Sequence, residues 1–306
     1  MRFSTAVLVM VVAGAAWGFT FVAPALAPLA APWLLATGRF VVFGLAALPQ
    51  LTAVRAVGVP WGRAIAHALT GSVIYYALLV AAIRLAGPTI AVAVIGLIPV
   101  VTAVLSVRRD GGAVRPLVPA LVLLGCGQVL VHSGGPADSP DSPLLVAGGV
   151  LLALAALASW TWYGLDSMAL LRGRPELGPV WASAQGLAAA GLSAPVLLGG
   201  LVVVGASADP LRVIAVTVAL GLLSSWLAVR LWNAASPALP GHVNAQLLSL
   251  ETAWGFVLAA VVAGVVPGPT VLLGELLIVL GCAAAVARTT RRPAPAPRPE
   301  RSPTRR

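Results

Sequence analysis

Apolar residues run along this chain in stretches of about twenty, interrupted by short joints rich in Pro, Gly and Arg. Cut at those joints, the pattern predicts ten helical spans, at 4–23, 31–52, 65–84, 87–107, 117–132, 144–166, 179–205, 213–235, 242–265 and 270–288. A helix needs ~20 residues, at 1.5 Å per residue, to cross a hydrocarbon layer of ~30 Å. The fifth span is short, and the fourth and ninth carry Gly or polar interruptions. Joints such as Ala86-Gly87-Pro88 and Leu239-Pro240-Gly241 are tight, so neighbouring spans run antiparallel. Strands are not expected, because unpaired strand edges cannot face lipid.

Composition makes the same case. Of the 306 residues, 59% are hydrophobic and 9% charged, against about 25% charge in a soluble domain. Too little polar surface exists to cover a water-soluble globule of this size. The positive charges are all arginine, 19 of them, and they are unevenly placed. If the N-terminus is cytoplasmic, fifteen fall in inside segments and two, Arg84 and Arg212, outside, which sets both termini in the cytoplasm of a multi-pass plasma-membrane protein. Six arginines lie in the Arg/Pro-rich tail 291–306, which cannot bury apolar surface and is expected to be disordered. Without that tail the net charge of +10 halves, so no nucleic-acid partner is inferred. Cys126 and Cys282 sit in apolar runs with no CxxC or disulfide framework, and each is expected to be a small packed side chain. The run Thr5–Val22 has the hydropathy of a signal peptide, but no polar mature domain follows it, and it reads as a retained first span.

The chain also repeats itself. Residues Leu85 to Pro99 lay over Ala238 to Thr252 at an offset of 153, Leu124-Gly125-Cys126 over Leu280-Gly281-Cys282 at 156, and, more weakly, Trp17-Gly18-Phe19 over Trp160-Thr161-Trp162 at 143. This divides the chain into a first repeat at 1–135, an external linker at 136–143, a second repeat at 144–290 and the tail at 291–306. Five spans per unit is an odd number, so the second unit enters the membrane from the opposite face. Inverted repeats of this kind build secondary transporters, with one mid-membrane site opened to each side in turn. Duplication that merely made a stable bundle is the competing reading.

Certain residues resemble a known family. Ala15-Ala16-Trp17-Gly18-Phe19-Thr20-Phe21-Val22, Gly38-Arg39-Phe40, Tyr75-Tyr76-Ala77-Leu78, Gly96-Leu97-Ile98-Pro99, Leu250-Glu251-Thr252-Ala253-Trp254 and Leu273-Gly274 through Leu280-Gly281 occur in the order seen in the drug/metabolite transporter superfamily, ten-helix EamA-domain type. That resemblance implies a secondary carrier for small metabolites such as amino acids or related compounds, often moving them outward. Two departures stand out: Thr252 where the family pattern has Pro, and Val265 where it usually has Glu.

Polar residues inside the spans carry the candidate chemistry. Arg39 lies roughly 12 Å into the second span and must find a partner, an anionic solute or water, since a central Arg is costly in lipid. Glu251 lies roughly 15 Å into the ninth span, where it can hold a proton or a cationic group of a solute. A fixed ion pair remains the alternative for both. With Trp17 and Tyr76 as apolar walls, these four are the expected substrate-binding residues, in a cavity lined from spans 1, 2, 3, 4, 6, 8 and 9. Tyr75, Trp160, Trp162, Trp226, Trp232 and Trp254 line it or pack. Asn233, Asn244 and Gln246 act as helix glue or solute contacts. Arg230, Asp166, as the end of the sixth span, and Glu275 read as interfacial. Gly14-x-x-x-Gly18 lets helices approach closely and leaves a homodimer open. His67, His132 and His242 have no metal spacing, and no HExxH, GxSxG or Walker loop occurs, so no metal, cofactor or enzymatic activity is expected. An intramembrane transferase and a non-transporting scaffold or sensor are the competing classes.

Overall fold

The computed structural model describes residues 1–132, 142–204, 209–264 and 266–290, and among them every regular element is helical. The helices are α1 (Phe3–Leu26), α2 (Pro32–Ala56), α3 (Trp61–Ala86), α4 (Pro88–Ile95), α5 (Ile98–Arg109), α6 (Val118–His132), α7 (Pro143–Gly173), α8 (Gly178–Val204), α9 (Pro210–Ala238), α10 (Gly241–Leu247), α11 (Leu250–Ala263) and α12 (Pro269–Thr290). Most of the linker, all of the tail and Val265 lie outside the described residues. Counting α10 and α11 as one, eight helices among the described residues are long and apolar enough to cross a bilayer, and a shorter apolar helix spans Arg115–Val131. Large apolar side chains point away from the protein, Leu144 at 82% and Val202 at 87% exposure. Such a surface is stable only in lipid.

Proline and glycine set the helix ends. Prolines open α2, α7 and α9 at their first turn, where the missing N–H costs nothing. At the α3–α4 joint Gly87 adopts φ +80°, a conformation that disfavours a β-carbon, and its N–H bonds to the Ile83 carbonyl before Pro88 starts the next helix. The sixth span does not stop at Asp166. The residues that follow are good helix formers, and α7 continues to Gly173, burying Ser167, Met168, Leu170 and Leu171.

Two kinds of irregularity recur at matching places. The fourth span breaks between Ile95 and Ile98, where the Leu97 N–H bonds to the Val94 carbonyl at 3.1 Å. The ninth breaks between Leu247 and Leu250, where the Ser249 N–H bonds to the Gln246 carbonyl at 3.1 Å. Within α3 a wide π turn covers Leu69–Val73, and within α9 another covers Leu220–Leu227. Such turns free a carbonyl and bend the helix. In α3 the carbonyl of Thr70 accepts a bond from Ser159 of α7 at 2.8 Å.

In lipid, helices associate by close packing rather than by the hydrophobic effect, and small residues provide it here. α2 packs on α8, with Gly44 against Ala190 and Gly186 against Phe43. α6 packs on α12 with Gly127 and Gly274 face to face. α3 packs on α7, and α1 on α9 and α11. Cys282 is buried in this packing, but Cys126, expected to be packed, is exposed on α6.

Candidate functional site

Where the irregular turns converge, the helices leave a cavity of about 300 Å³. Both π turns reach its wall, through Gly71 and Ser72 of α3 and Ser224 and Ser225 of α9, and so do both helix breaks, through Gly96 and Pro99 and through Ser249 and Thr252. Arg39, Glu251, Trp17 and Tyr76 all line it, as do Tyr75 and Trp160.

Arg39 is held rather than free. Its Nε donates to Ser225 Oγ at 3.0 Å, and its guanidinium stands 5.2 Å from the Phe40 ring. Glu251 faces the cavity from α11, in the first turn of that helix, where the positive end of the helix dipole favours a carboxylate. Ion pairs among the described residues do not include one between Arg39 and Glu251, which stand farther apart than 4.0 Å. A carboxylate and a guanidinium held apart across one cavity can grip the two ends of a zwitterion, or pair with each other when the cavity narrows.

One side of the cavity is closed by aromatic rings. Trp17 and Trp160 lie with ring centroids 6.2 and 6.5 Å from that of the buried Trp232, and Tyr163 lies 5.6 Å from it. Behind Tyr163 sits His67, 5.3 Å away, in edge contact with Trp181 and Trp162 as well. His67 Nε2 is 2.8 Å from Asp166 Oδ2, and Arg63 binds both oxygens of Asp166 at 2.6 Å. Gln185 lies 3.4 Å from both His67 Nδ1 and Tyr163 Oη and accepts a bond from Asn233 at 3.3 Å. Against the expectation of an interfacial residue, the Asp166 side chain is 13% exposed and anchors this network.

The remaining polar residues divide. Asn244 accepts from Trp232 Nε1 at 2.6 Å and donates to Ser236 at 2.8 Å, tying α9 to α10 as glue. Gln246 is buried without a hydrogen-bonding partner for its side-chain amide among the described residues. Arg230 is half-buried, stacks over Trp226 and donates to the Pro179 carbonyl at 3.3 Å. Glu275, expected at the interface, has both carboxylate oxygens enclosed without a partner among the described residues. Trp162, Trp226, Trp232 and Trp254 do not line the cavity.

Sequence reasoning misses three contributors. Ser225 and Gln128 are ordinary polar residues in apolar runs, and only the fold shows that Gln128 reaches Thr252 across the cavity, at 3.4 Å. The Arg63–His67 pair has a readable signal: a spacing of four on one helix puts both on the same face.

A lipid-facing helical bundle around a charged, aromatic-walled cavity defines a multi-pass membrane transporter, and comparison with known proteins agrees. Residues 4–111 match the EamA-like transporter family. The chain is 32% identical over 313 residues to the inner membrane protein YtfF of Escherichia coli (strain K12), an alignment covering 94% of this chain and 96% of that one. A protein of known crystal structure shares the fold with a TM-score of 0.77 at 23% identity, over 95% of this chain and all of the other. The chain belongs to the EamA-like transporter family, within the drug/metabolite transporters.

Proposed function

We propose that this protein is a secondary carrier that exports small zwitterionic metabolites, amino acids or related compounds, by alternating access between two inverted five-helix repeats, with ten spans and both termini in the cytoplasm. The observation that carries the reading is the position of Arg39 and Glu251, one from each half of the chain, on a shared cavity and not joined to each other. The repeat assignment is supported by the paired irregularities: the two helix breaks lie 152 positions apart, and the two π turns occupy the spans just before them. The packing pairs agree with it, since the second span meets the seventh and the fifth meets the tenth, each the other's counterpart. The orientation rests on the arginine distribution. Arg63, Arg108, Arg109, Arg172 and Arg174 gather at one end of the bundle, the end that the aromatic layer and the Asp166 network separate from the cavity.

The test is flux. Purified protein in proteoliposomes is offered a panel of labelled amino acids and related zwitterions, with empty liposomes as the control. Saturable uptake or counterflow of at least one compound is expected. A stable, inserted protein that moves none of them would favour the non-transporting scaffold or sensor.

A further inference from the structure

A second recess lies away from the transport cavity, between the end of α5 and the Trp162–Asp166 stretch of α7. It is a groove of about 500 Å³ lined by Leu105, Arg108 and Arg109 of α5 and by Trp162, Leu165 and Asp166 of α7. Arg108 and Arg109 are exposed, and neither has an ion-pair or hydrogen-bonding side-chain partner among the described residues. The nearby acids are already committed. Asp166 is held by Arg63 and His67, and Asp110, beside Arg109, lies 3.6 Å from Arg172. The groove therefore presents two uncompensated guanidinium groups.

Its walls identify the occupant. Trp162 is 46% exposed and Leu105 39%. On α7, Leu151, Leu154, Ala158 and Trp162 form an exposed stripe at helical spacing that runs from the bilayer-facing surface directly into the groove. A soluble anion would meet the arginines but leave this stripe unused. A lipid uses both, with acyl chains along the stripe and phosphate at the arginines, and Trp at the headgroup level suits that boundary.

We propose that this groove is a binding site for an anionic phospholipid, its headgroup phosphate held by Arg108 and Arg109 and its glycerol and upper acyl region against Trp162 and Leu105. The site depends only on membrane insertion and stands whether or not the transport reading does. Basic recesses between membrane helices are suited to anionic headgroups, and each arginine near the surface is worth a factor of about five in lipid partitioning.

The experiment uses the full chain in phosphatidylcholine vesicles containing a small fraction of brominated lipid, either phosphatidylglycerol or phosphatidylcholine. Bromine quenches nearby indoles, and Trp162 is isolated by subtracting the signal of Trp162→Phe. Brominated phosphatidylglycerol is expected to quench Trp162 more than brominated phosphatidylcholine at the same mole fraction. The excess should fall by roughly fivefold for each of Arg108→Gln and Arg109→Gln, and should largely survive in the double Lys variant. Equal quenching by the two lipids in the wild-type protein overturns the proposal, with no variant needed. An excess that persists in the double Gln variant removes the arginines from the site. Loss of the excess on adding millimolar inorganic phosphate would show a free-anion site instead and would equally overturn it.

Discussion

Gly18 of α1 lies so close to Gly255 of α11 that a β-carbon on Gly18 would stand 2.8 Å from the Gly255 backbone nitrogen and 3.0 Å from the Trp254 carbonyl carbon. Backbone cannot give way as a side-chain tip can, so the helices would have to part. Gly18→Val is expected to cost about 1–3 kcal/mol and to lower the melting temperature in detergent. Gly14, whose β-carbon would meet Leu250 Cβ at 3.1 Å and backbone no nearer than 3.3 Å, should tolerate Ala at a cost below about 1 kcal/mol. Equal losses at the two positions would contradict this packing.

Arg39 and Glu251 answer to different assays if they hold a solute than if they hold the fold. Arg39→Gln and Glu251→Gln are each expected to reduce flux by at least about tenfold, the equivalent of ~1.4 kcal/mol of lost interaction, while the purified proteins melt near the wild-type temperature. Full flux by a stable Glu251→Gln protein excludes a role for that carboxylate.

The Asp166 network should behave as one unit. Asp166→Asn removes the charge that binds Arg63 and His67 and is expected to cost about 1–2 kcal/mol, the lower part of the range for charged hydrogen bonds because Arg63 is 42% exposed. Arg63→Gln alone costs a similar amount, and the double variant less than the sum of the two, since they break the same contact. Strictly additive melting shifts would show that Asp166 and Arg63 act independently.

Topology is the fourth expectation. Reporter domains fused after Thr290, and before Arg2, should both register on the cytoplasmic side. A C-terminus outside the cell would remove the inverted-repeat reading along with the orientation.

Much of this was legible from the chain alone. The apolar runs showed where helices lie because a bilayer imposes a length, and Gly96 and the polar stretch around Ser249 marked where two spans break. Helix rise set Arg39 and Glu251 well inside their spans, and both line the cavity. What hydropathy does not encode is direction around the helix axis. It could not tell that Trp162 faces outward while Trp160, two residues earlier, faces the cavity, or that Cys126 is exposed while Cys282 is buried. The end of α7 was misplaced for a related reason. Asp166 reads as the polar edge of a span when its partners, Arg63 and His67, lie about a hundred residues away in sequence.

The clustering of indoles beside the cavity has a practical consequence. Trp17 and Trp160 both approach Trp232 within 6.5 Å, near enough for their excited states to exchange energy, so a motion that separates these rings changes the polarisation of the protein's own emission. The layer that closes one side of the cavity is therefore also a built-in optical gauge of its opening, readable without an attached dye.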